Sequence, residues 1–344
     1  MAGRRRWGRA GAAAGGGAAT GLLDGHDPVA ASGYPEHPPR VGFFTDTSIC
    51  IGCKACEVAC KEWNRVPEDG LQLTGMSYDN TGELGADTWR HVAFIEQRLP
   101  AASLPPGGPG APVPGGSGPA PPASPGPGSS GAPSGGADGA PAGGADGIPA
   151  GSAGTTGVRW LMSSDVCKHC SRAACLDVCP TGALFRTELG AVVVQRDVCN
   201  GCGYCIPACP YGVIGQRPGD GRAWKCTLCS DRLAEGLRPA CATACPTRSI
   251  QFGPLDELRE QAARRLAELH GAGVAAARLY GHDPGDGVGG AGAFFLLLDE
   301  PEVYGLPPDP VVTTRDLPAM WRRVALAATA LAGAGLAAFA GRRR

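Results

Sequence analysis

Sixteen cysteines in four groups of four constrain this chain of 344 residues more than any other feature. The first and third groups share the spacing C-x2-C-x2-C-x3-C, whereas the second gap is x4 in the second group and x11 in the fourth. The last three groups are each followed directly by proline, and the first is followed by Lys61. In chain order the groups are Cys50, Cys53, Cys56, Cys60; Cys167, Cys170, Cys175, Cys179; Cys199, Cys202, Cys205, Cys209; and Cys226, Cys229, Cys241, Cys245.

This spacing is typical of iron–sulfur ligation. Three cysteines on a tight loop direct their thiolates toward one face of a 4Fe–4S cube, and the fourth, expected to begin a helix that points away, ligates the other cluster of a pair. Disulfides do not explain the pattern, because cysteines two residues apart form strained bridges. Zinc takes four ligands from two pairs, so the third close cysteine would be surplus. The spacing predicts four 4Fe–4S clusters, and a zinc or disulfide scaffold is the alternative from another class.

Exchange of the fourth cysteine between paired groups assigns each ligand. Groups two and three are consecutive, and two short strands expected at Leu184-Phe185 and 192–194 complete a two-cluster ferredoxin module. Groups one and four then pair across the chain, so this module is inserted within another. The predicted ligand sets, called first to fourth below, are Cys50, Cys53, Cys56 with Cys245; Cys226, Cys229, Cys241 with Cys60; Cys167, Cys170, Cys175 with Cys209; and Cys199, Cys202, Cys205 with Cys179.

Glycine and proline, 55 and 32 residues, are concentrated outside the cysteine groups. Residues 101–157 contain no aromatic residue, lysine or arginine, so they cannot bury enough apolar surface to offset their ordering entropy. An Ala/Gly run after Arg4-Arg5-Arg6 predicts a disordered N-terminal extension, with a twin-arginine export signal or a misassigned start as alternatives. The net charge of −1 argues against a nucleic-acid partner.

The predicted fold class is α+β, with two ferredoxin-like modules, one inserted in the other, followed by a C-terminal transmembrane helix. The predicted segments are 1–40, a disordered extension; 41–99, the first half of the outer module; 100–157, a disordered insertion; 158–221, the inner module; 222–253, the second half of the outer module; 254–318, a packing segment; and 319–341, the transmembrane helix.

Two helices are expected in the C-terminal third. Leucines at helical spacing predict an amphipathic helix over residues 254–270, and residues 294–298 form a short apolar strand candidate. Residues 324–341 carry no charge and would span about 27 Å as a helix, marginally enough for a bilayer. A surface helix packed on protein is the alternative. Arginines flank both ends, with a slight excess after residue 341, which favours a cytoplasmic C-terminus and clusters on the extracytoplasmic side.

Motifs around the cysteines resemble the iron–sulfur (beta) subunit of membrane-bound formate dehydrogenases. The resemblance covers residues 41–99 and 158–335 and departs at the insertion and at the short C-terminus. Its motifs are Ser48 to Cys56 with Glu62-Trp63-Asn64, Asn200 to Cys205, Trp224 to Cys229, Tyr280 to Gly290 and Pro301 to Pro307. Related nitrate reductase subunits carry tryptophan for one cysteine of the third group, whereas Cys202 is present here, so four 4Fe–4S clusters and no three-iron cluster are expected.

The resemblance implies a subunit without catalytic residues of its own. It would pass electrons from a molybdopterin or tungstopterin catalytic alpha subunit to a membrane cytochrome b gamma subunit, and its C-terminal helix would cross the cytoplasmic membrane once. The same chain of clusters could instead transfer electrons for a hydrogenase or for a sulfur-compound or sulfoxide reductase. Beside the ligands, His169 either donates to cluster sulfur, changes its charge near neutral pH, or is a partly exposed loop residue. Lys225 lies between clusters or in solvent.

Overall fold

The structure is a computed structural model that describes residues 27–69, 81–99, 157–314 and 316–341. Most of the predicted N-terminal extension and nearly all of the predicted insertion at 100–157 lie outside the described residues. The helices are α1 Ala55–Asn64, α2 Ala174–Asp177, α3 Cys205–Ala208, α4 Ser230–Ala234, α5 Ala240–Ala244, α6 Leu255–Gly271 and α7 Leu317–Gly341. The strands are β1 Val41–Asp46, β2 Arg90–Leu99, β3 Gly157–Val166, β4 Leu184–Arg186, β5 Val192–Val194, β6 Gly215–Gln216, β7 Ala223–Trp224, β8 Ile250–Pro254, β9 Arg278–Tyr280 and β10 Ala293–Leu297.

The chain divides into two compact units, Met1–Ala93 with Met162–Arg344, and Phe94–Leu161. In the smaller unit, the described residues 94–99 and 157–161 belong to β2 and β3, which pair in a two-stranded sheet. The larger unit contains all 16 cysteines and the remaining elements. The site is therefore built within the larger unit.

A four-stranded sheet of order β8-β1-β10-β9 forms the frame of the larger unit. Strand β1 pairs parallel with β10, with Phe44 opposite Phe294, and antiparallel with β8. All five residues of β10 are buried, which indicates a strand covered on both faces. The sheet thus joins segments that lie about 250 residues apart in the sequence.

The two faces of this sheet carry different partners. Helix α6 packs its leucines against one face, where the Phe44 and Phe294 rings stack 5.3 Å apart. On β1 the neighbouring Phe43 is covered by the Arg90 guanidinium, 4.9 Å from the ring centroid, and on β10 Phe295 is covered by the Lys168 ammonium, also at 4.9 Å. Because neighbouring residues of a strand point to opposite faces, one face builds the apolar core and the other meets the cysteine-bearing segments.

The expected local elements are present. Strands β4 and β5 pair antiparallel with Leu184 opposite Val194, and the amphipathic helix and apolar strand of the C-terminal third are α6 and β10. Helix α7 begins earlier than the uncharged run. Its candidate membrane span, Ala319–Ala340, has 22 residues, a mean hydropathy of 1.6 and no buried residue. At 1.5 Å per residue the span is about 33 Å long, enough for a bilayer core.

Candidate metal centres

The cysteines predicted for the first ligand set lie around one cavity. Cys50, Cys53, Cys56 and Cys245 line a space of about 290 Å³, counting the part open to solvent. Cys50 follows a short turn at Thr47–Ile49, which is capped where Ser48 N–H donates to the Asp46 carboxylate at 2.9 Å. Gly52, with φ +65°, lets the loop turn between the first two cysteines. Segments almost 200 residues apart in the sequence thus bring four thiols together.

A second cavity contains the cysteines predicted for the third set. Cys167, Cys170, Cys175 and Cys209 line about 380 Å³, again counting the open part. The pKa of Cys175 is raised to about 12, chiefly by burial. The Lys225 ammonium lowers this pKa, whereas the thiolates of Cys167 and Cys209 raise it. Buried thiols this close cannot all ionise without a cation among them. The donor set therefore suits a thiolate-bound metal cluster.

For the remaining two sets, the pKa values of the thiols show which cysteines lie close to one another. Burial raises the pKa of Cys60 well above its ordinary value, and the thiolates of Cys226, Cys241 and Cys229 raise it further. These are the cysteines predicted for the second set, so the structure brings them together.

Burial likewise raises the pKa of Cys205 to about 11, and among its neighbours Cys199, Cys179 and Cys202 raise it. These four are the cysteines of the predicted fourth set. Cys179 behaves differently from the other thiols, because backbone N–H groups, first that of Leu184, outweigh its slight burial and lower its pKa.

Hydrogen-bond donors surround several of the sulfurs. Leu228 N–H lies 3.3 Å from Cys226 Sγ, and Asn64 Nδ2 lies 3.7 Å from Cys60 Sγ and 3.8 Å from Cys229 Sγ. Such donors stabilise thiolates and set cluster potentials. The sulfur environment therefore fits iron–sulfur ligation.

The expectation that the fourth cysteine of a group begins a helix is wrong. Cys209 and Cys245 instead end α3 and α5 in extended conformations, with ψ of 114° and 110°. Each precedes proline, whose ring disfavours a helical conformation for the residue before it. Cys60, which precedes Lys61, lies inside α1, and that helix continues to Asn64. The Cys-Pro dipeptides thus mark where α3 and α5 end, whereas α2 already ends at Asp177, two residues before Cys179.

Comparison with known proteins identifies the family. Residues 158–255 match a family model described as a 4Fe-4S dicluster domain, and residues 47–63 match a 4Fe-4S binding domain. The formate dehydrogenase iron-sulfur subunit of Haemophilus influenzae is 34% identical over 88% of this chain and 79% of its own length. The nitrate-inducible formate dehydrogenase iron-sulfur subunit of Escherichia coli K12 is 33% identical over 89% of this chain and 84% of its own length.

The chain belongs to the family of formate dehydrogenase iron–sulfur subunits. Its 16 cysteines match the number required by four 4Fe–4S clusters, and its role is electron transfer. The B subunit of anaerobic dimethyl sulfoxide reductase from E. coli K12 is a relative of smaller coverage, 31% identical over 64% of this chain. The resemblance found in the cysteine motifs is therefore confirmed.

In this iron–sulfur subunit, cysteines that belong to different predicted sets also influence one another. The pKa values of thiols in one set respond to thiolates of the next, so neighbouring sets adjoin. The pairs that act across a boundary are Cys241 with Cys56, Cys226 with Cys167, and Cys175 with Cys205. These pairs link the first predicted set to the second, the second to the third and the third to the fourth, links that the sequence spacing did not reveal.

His169 is buried, with 2% of its surface exposed, which excludes the partly exposed alternative. Its Nδ1 lies 3.1 Å from the Val192 N–H, which can only donate, so the ring proton resides on Nε2. Burial lowers the pKa of His169, as do the Lys225, Arg186 and Arg40 cations, so the ring stays neutral. Nε2 has no hydrogen-bond partner among the described residues, and His169 is one of the residues that line the third-set cavity.

Lys225 is also buried and lies between two sets. Its Nζ donates to Cys226 O at 3.0 Å and lies 3.7 Å from Cys167 Sγ, so the ammonium adjoins the second and third sets. Trp63, in contrast, is partly exposed and donates to Asp231 at 2.7 Å. Sequence reasoning missed Arg90 and Ser164, which lie at the first set. Arg90 is far from every cysteine in the sequence, and Ser164, although three residues before Cys167, contacts Cys56 of a different set at 3.2 Å.

Proposed function

We propose that this subunit carries electrons through four clusters in the order of the ligand sets, from a formate-oxidising catalytic subunit to a membrane cytochrome b. The observation that carries the proposal is the convergence of thiols from distant segments around the two cavities. We further propose all 16 predicted ligands in their predicted sets: Cys50, Cys53, Cys56, Cys245; Cys60, Cys226, Cys229, Cys241; Cys167, Cys170, Cys175, Cys209; and Cys179, Cys199, Cys202, Cys205.

The chain's own residues define the path for electrons. When bound, each cluster would accept and release one electron at a time. Burial of the thiols and the N–H donors of Leu228 and Asn64 would adjust the potentials, while the loops keep the sets adjacent. No nucleophile or acid–base group is needed for this task, and we propose that the catalytic chemistry belongs to the partner.

The two ends of the series offer exposed surfaces. Cys53 is exposed at the first set beside Ile51, and Cys202 is exposed at the fourth set beside Tyr204. Thr314, just before α7, donates to the Asp177 carboxylate at 2.6 Å, two residues from Cys179 of the fourth set. This contact supports placing the fourth set next to the membrane cytochrome and the first set against the molybdopterin or tungstopterin subunit.

The nested organisation and the membrane topology are part of the proposal. One ferredoxin-like module, formed by 158–221, would be inserted between the halves 41–99 and 222–253 of the other. Helix α7 would cross the cytoplasmic membrane once, with its C-terminus in the cytoplasm and the cluster domain outside. The length and apolar character of residues 319–340 support the crossing. Protease treatment of intact spheroplasts tests the side, since an outward cluster domain would be degraded.

A second candidate function keeps the clusters and changes the catalytic partner. The similarity to the B subunit of anaerobic dimethyl sulfoxide reductase favours a sulfoxide reductase as that partner, ahead of a hydrogenase. Its smaller coverage, 64% of this chain against 88%, makes the formate dehydrogenase complex the better supported assignment.

Purification of the complex from native membranes under anaerobic conditions tests both candidates. We expect about 16 irons per chain, four for each of four clusters, together with formate-dependent reduction of a dye. Far fewer irons would contradict the ligand sets. Oxidation of a reduced dye by dimethyl sulfoxide, in a complex that does not oxidise formate, would favour the second candidate.

A further inference from the structure

Arg90, the first residue of β2, is a buried cation without a carboxylate partner among the described residues. Only 1% of its surface is exposed. Its Nη1 donates to Ser164 Oγ at 3.0 Å, and its guanidinium covers the Phe43 ring. Nε and Nη2 have no hydrogen-bond partner within the described part of the chain. The nearby buried carboxylate of Glu57 is paired with Lys54 at 3.2 Å.

Through Ser164 the guanidinium adjoins the first ligand set, and thiolates of the second set also act on it. Burial opposes its charge, but the thiolates of Cys241, Cys56, Cys226 and Cys60 outweigh burial and raise its pKa overall. Cys56 belongs to the first set and the other three belong to the second. Ser164 continues the link, because its Oγ lies 3.2 Å from Cys56 Sγ while it accepts from Arg90.

A buried cation of this kind needs negative charge beside it. Arginine cannot lose its proton in a protein, and an uncompensated buried charge is strongly unfavourable. Neutral thiols would not supply that charge. A 4Fe–4S cluster with four thiolates is negative and gains one more negative charge on reduction, so a fixed cation stabilises the reduced form more than the oxidised form. The free N–H groups of Nε and Nη2 suit such a neighbour.

We propose that Arg90 is a positioning residue for electron transfer, a fixed cation that raises the reduction potentials of the clusters held by the first and second sets. It also weakens the repulsion between electrons on these adjacent clusters. The inference rests on the proposed ligand sets and goes beyond them by assigning a function to a residue outside the cysteine motifs.

Redox titration of the whole complex, followed by EPR, tests the role of Arg90. We expect Arg90→Gln to keep all four clusters. The midpoint potentials of two of them should fall by at least about 59 mV, which corresponds to a tenfold change in a one-electron redox equilibrium. Arg90→Lys should restore most of the shift, because it keeps the charge. Ser164→Ala, which keeps the guanidinium, should give a smaller shift at one cluster.

Controls separate this inference from the proposed function. Arg264→Gln removes an exposed cation from α6 and should leave every midpoint unchanged. Wild-type protein with far fewer irons than four clusters need would refute the ligand sets. Full iron content in Arg90→Gln with unchanged midpoints would overturn the role of Arg90 alone.

If Arg90→Gln fails to assemble its clusters, its midpoints cannot be compared with the wild type, and Arg90→Lys becomes the deciding variant. A lysine variant that loads all clusters at near wild-type midpoints supports the proposal. One that shows equally lowered midpoints, or fails to load the two clusters, overturns it, because the charge would then not be the property that matters.

Discussion

Replacement of Leu331 by arginine should detach this subunit from the membrane. Leu331 lies near the middle of the 22-residue span of α7, and 74% of its side chain is exposed. On the insertion scale, a central leucine contributes about −0.5 kcal/mol and a central arginine about +3 kcal/mol, so the change costs about 3.5 kcal/mol. The span is rich in alanine and glycine, so few large apolar residues offset this loss.

Alkaline carbonate extraction of membranes, with immunodetection of the subunit, measures the effect. At about 1.4 kcal/mol per tenfold, a cost of about 3.5 kcal/mol corresponds to a several-hundred-fold fall in the membrane-to-soluble ratio. Met320→Arg is the matched control, because it lies at the end of the span beside Arg322, where arginine reaches the interface. Equal extraction of wild type and Leu331→Arg would refute the reasoning and favour a helix that packs on protein.

Three further outcomes are expected. Phe294→Ala should lower the free energy of unfolding by about 3–5 kcal/mol, because the ring is buried against Phe44. Phe185→Ala on β4 should lower it much less, because that ring is exposed, and denaturant titration of the anaerobic protein compares the two variants. Lys225→Met should lower the midpoints of two clusters in an EPR redox titration, since its ammonium adjoins the second and third sets, and unchanged midpoints would contradict this. Removal of iron with a chelator should abolish the near-ultraviolet circular dichroism, because the interior is built around metal ligands; a retained signal would show that the cysteine loops fold without metal.

Local features of the fold were predictable from sequence because short-range chemistry decides them. The β4–β5 hairpin follows from apolar residues that flank Gly190, and α6 follows from leucines at helical spacing. The error about the fourth cysteine also has a local cause. The Cys-Pro dipeptide carried the signal that the helix ends at Cys209, because proline disfavours a helical conformation for the residue before it.

Long-range features carried no such signal. The parallel pairing of β1 with β10 depends on residues separated by the whole cysteine region, so periodicity within either strand cannot reveal it. His169 is held in the interior by the hydrogen bond that its Nδ1 accepts from the Val192 N–H, and the position of Arg90 follows from the pairing of β2 with β3. His169 lies between Cys167 and Cys170 in the sequence, so its place beside a cluster was predictable although its burial was not, whereas no sequence neighbour marks Arg90 as part of the site.

The distribution of buried cations follows the access of water. The four cysteines proposed for the second set, Cys60, Cys226, Cys229 and Cys241, are all buried, and thiolates of this set raise the pKa of both Arg90 and Lys225. At the fourth set, Cys202 is exposed and solvent ions can screen the charge. Because a cluster gains negative charge on each reduction, the interior of the series needs fixed cations where water cannot reach. On the proposed ligand sets, the buried side chains Arg90 and Lys225 would therefore control the potentials of the inner clusters, whereas at the fourth set solvent would do so.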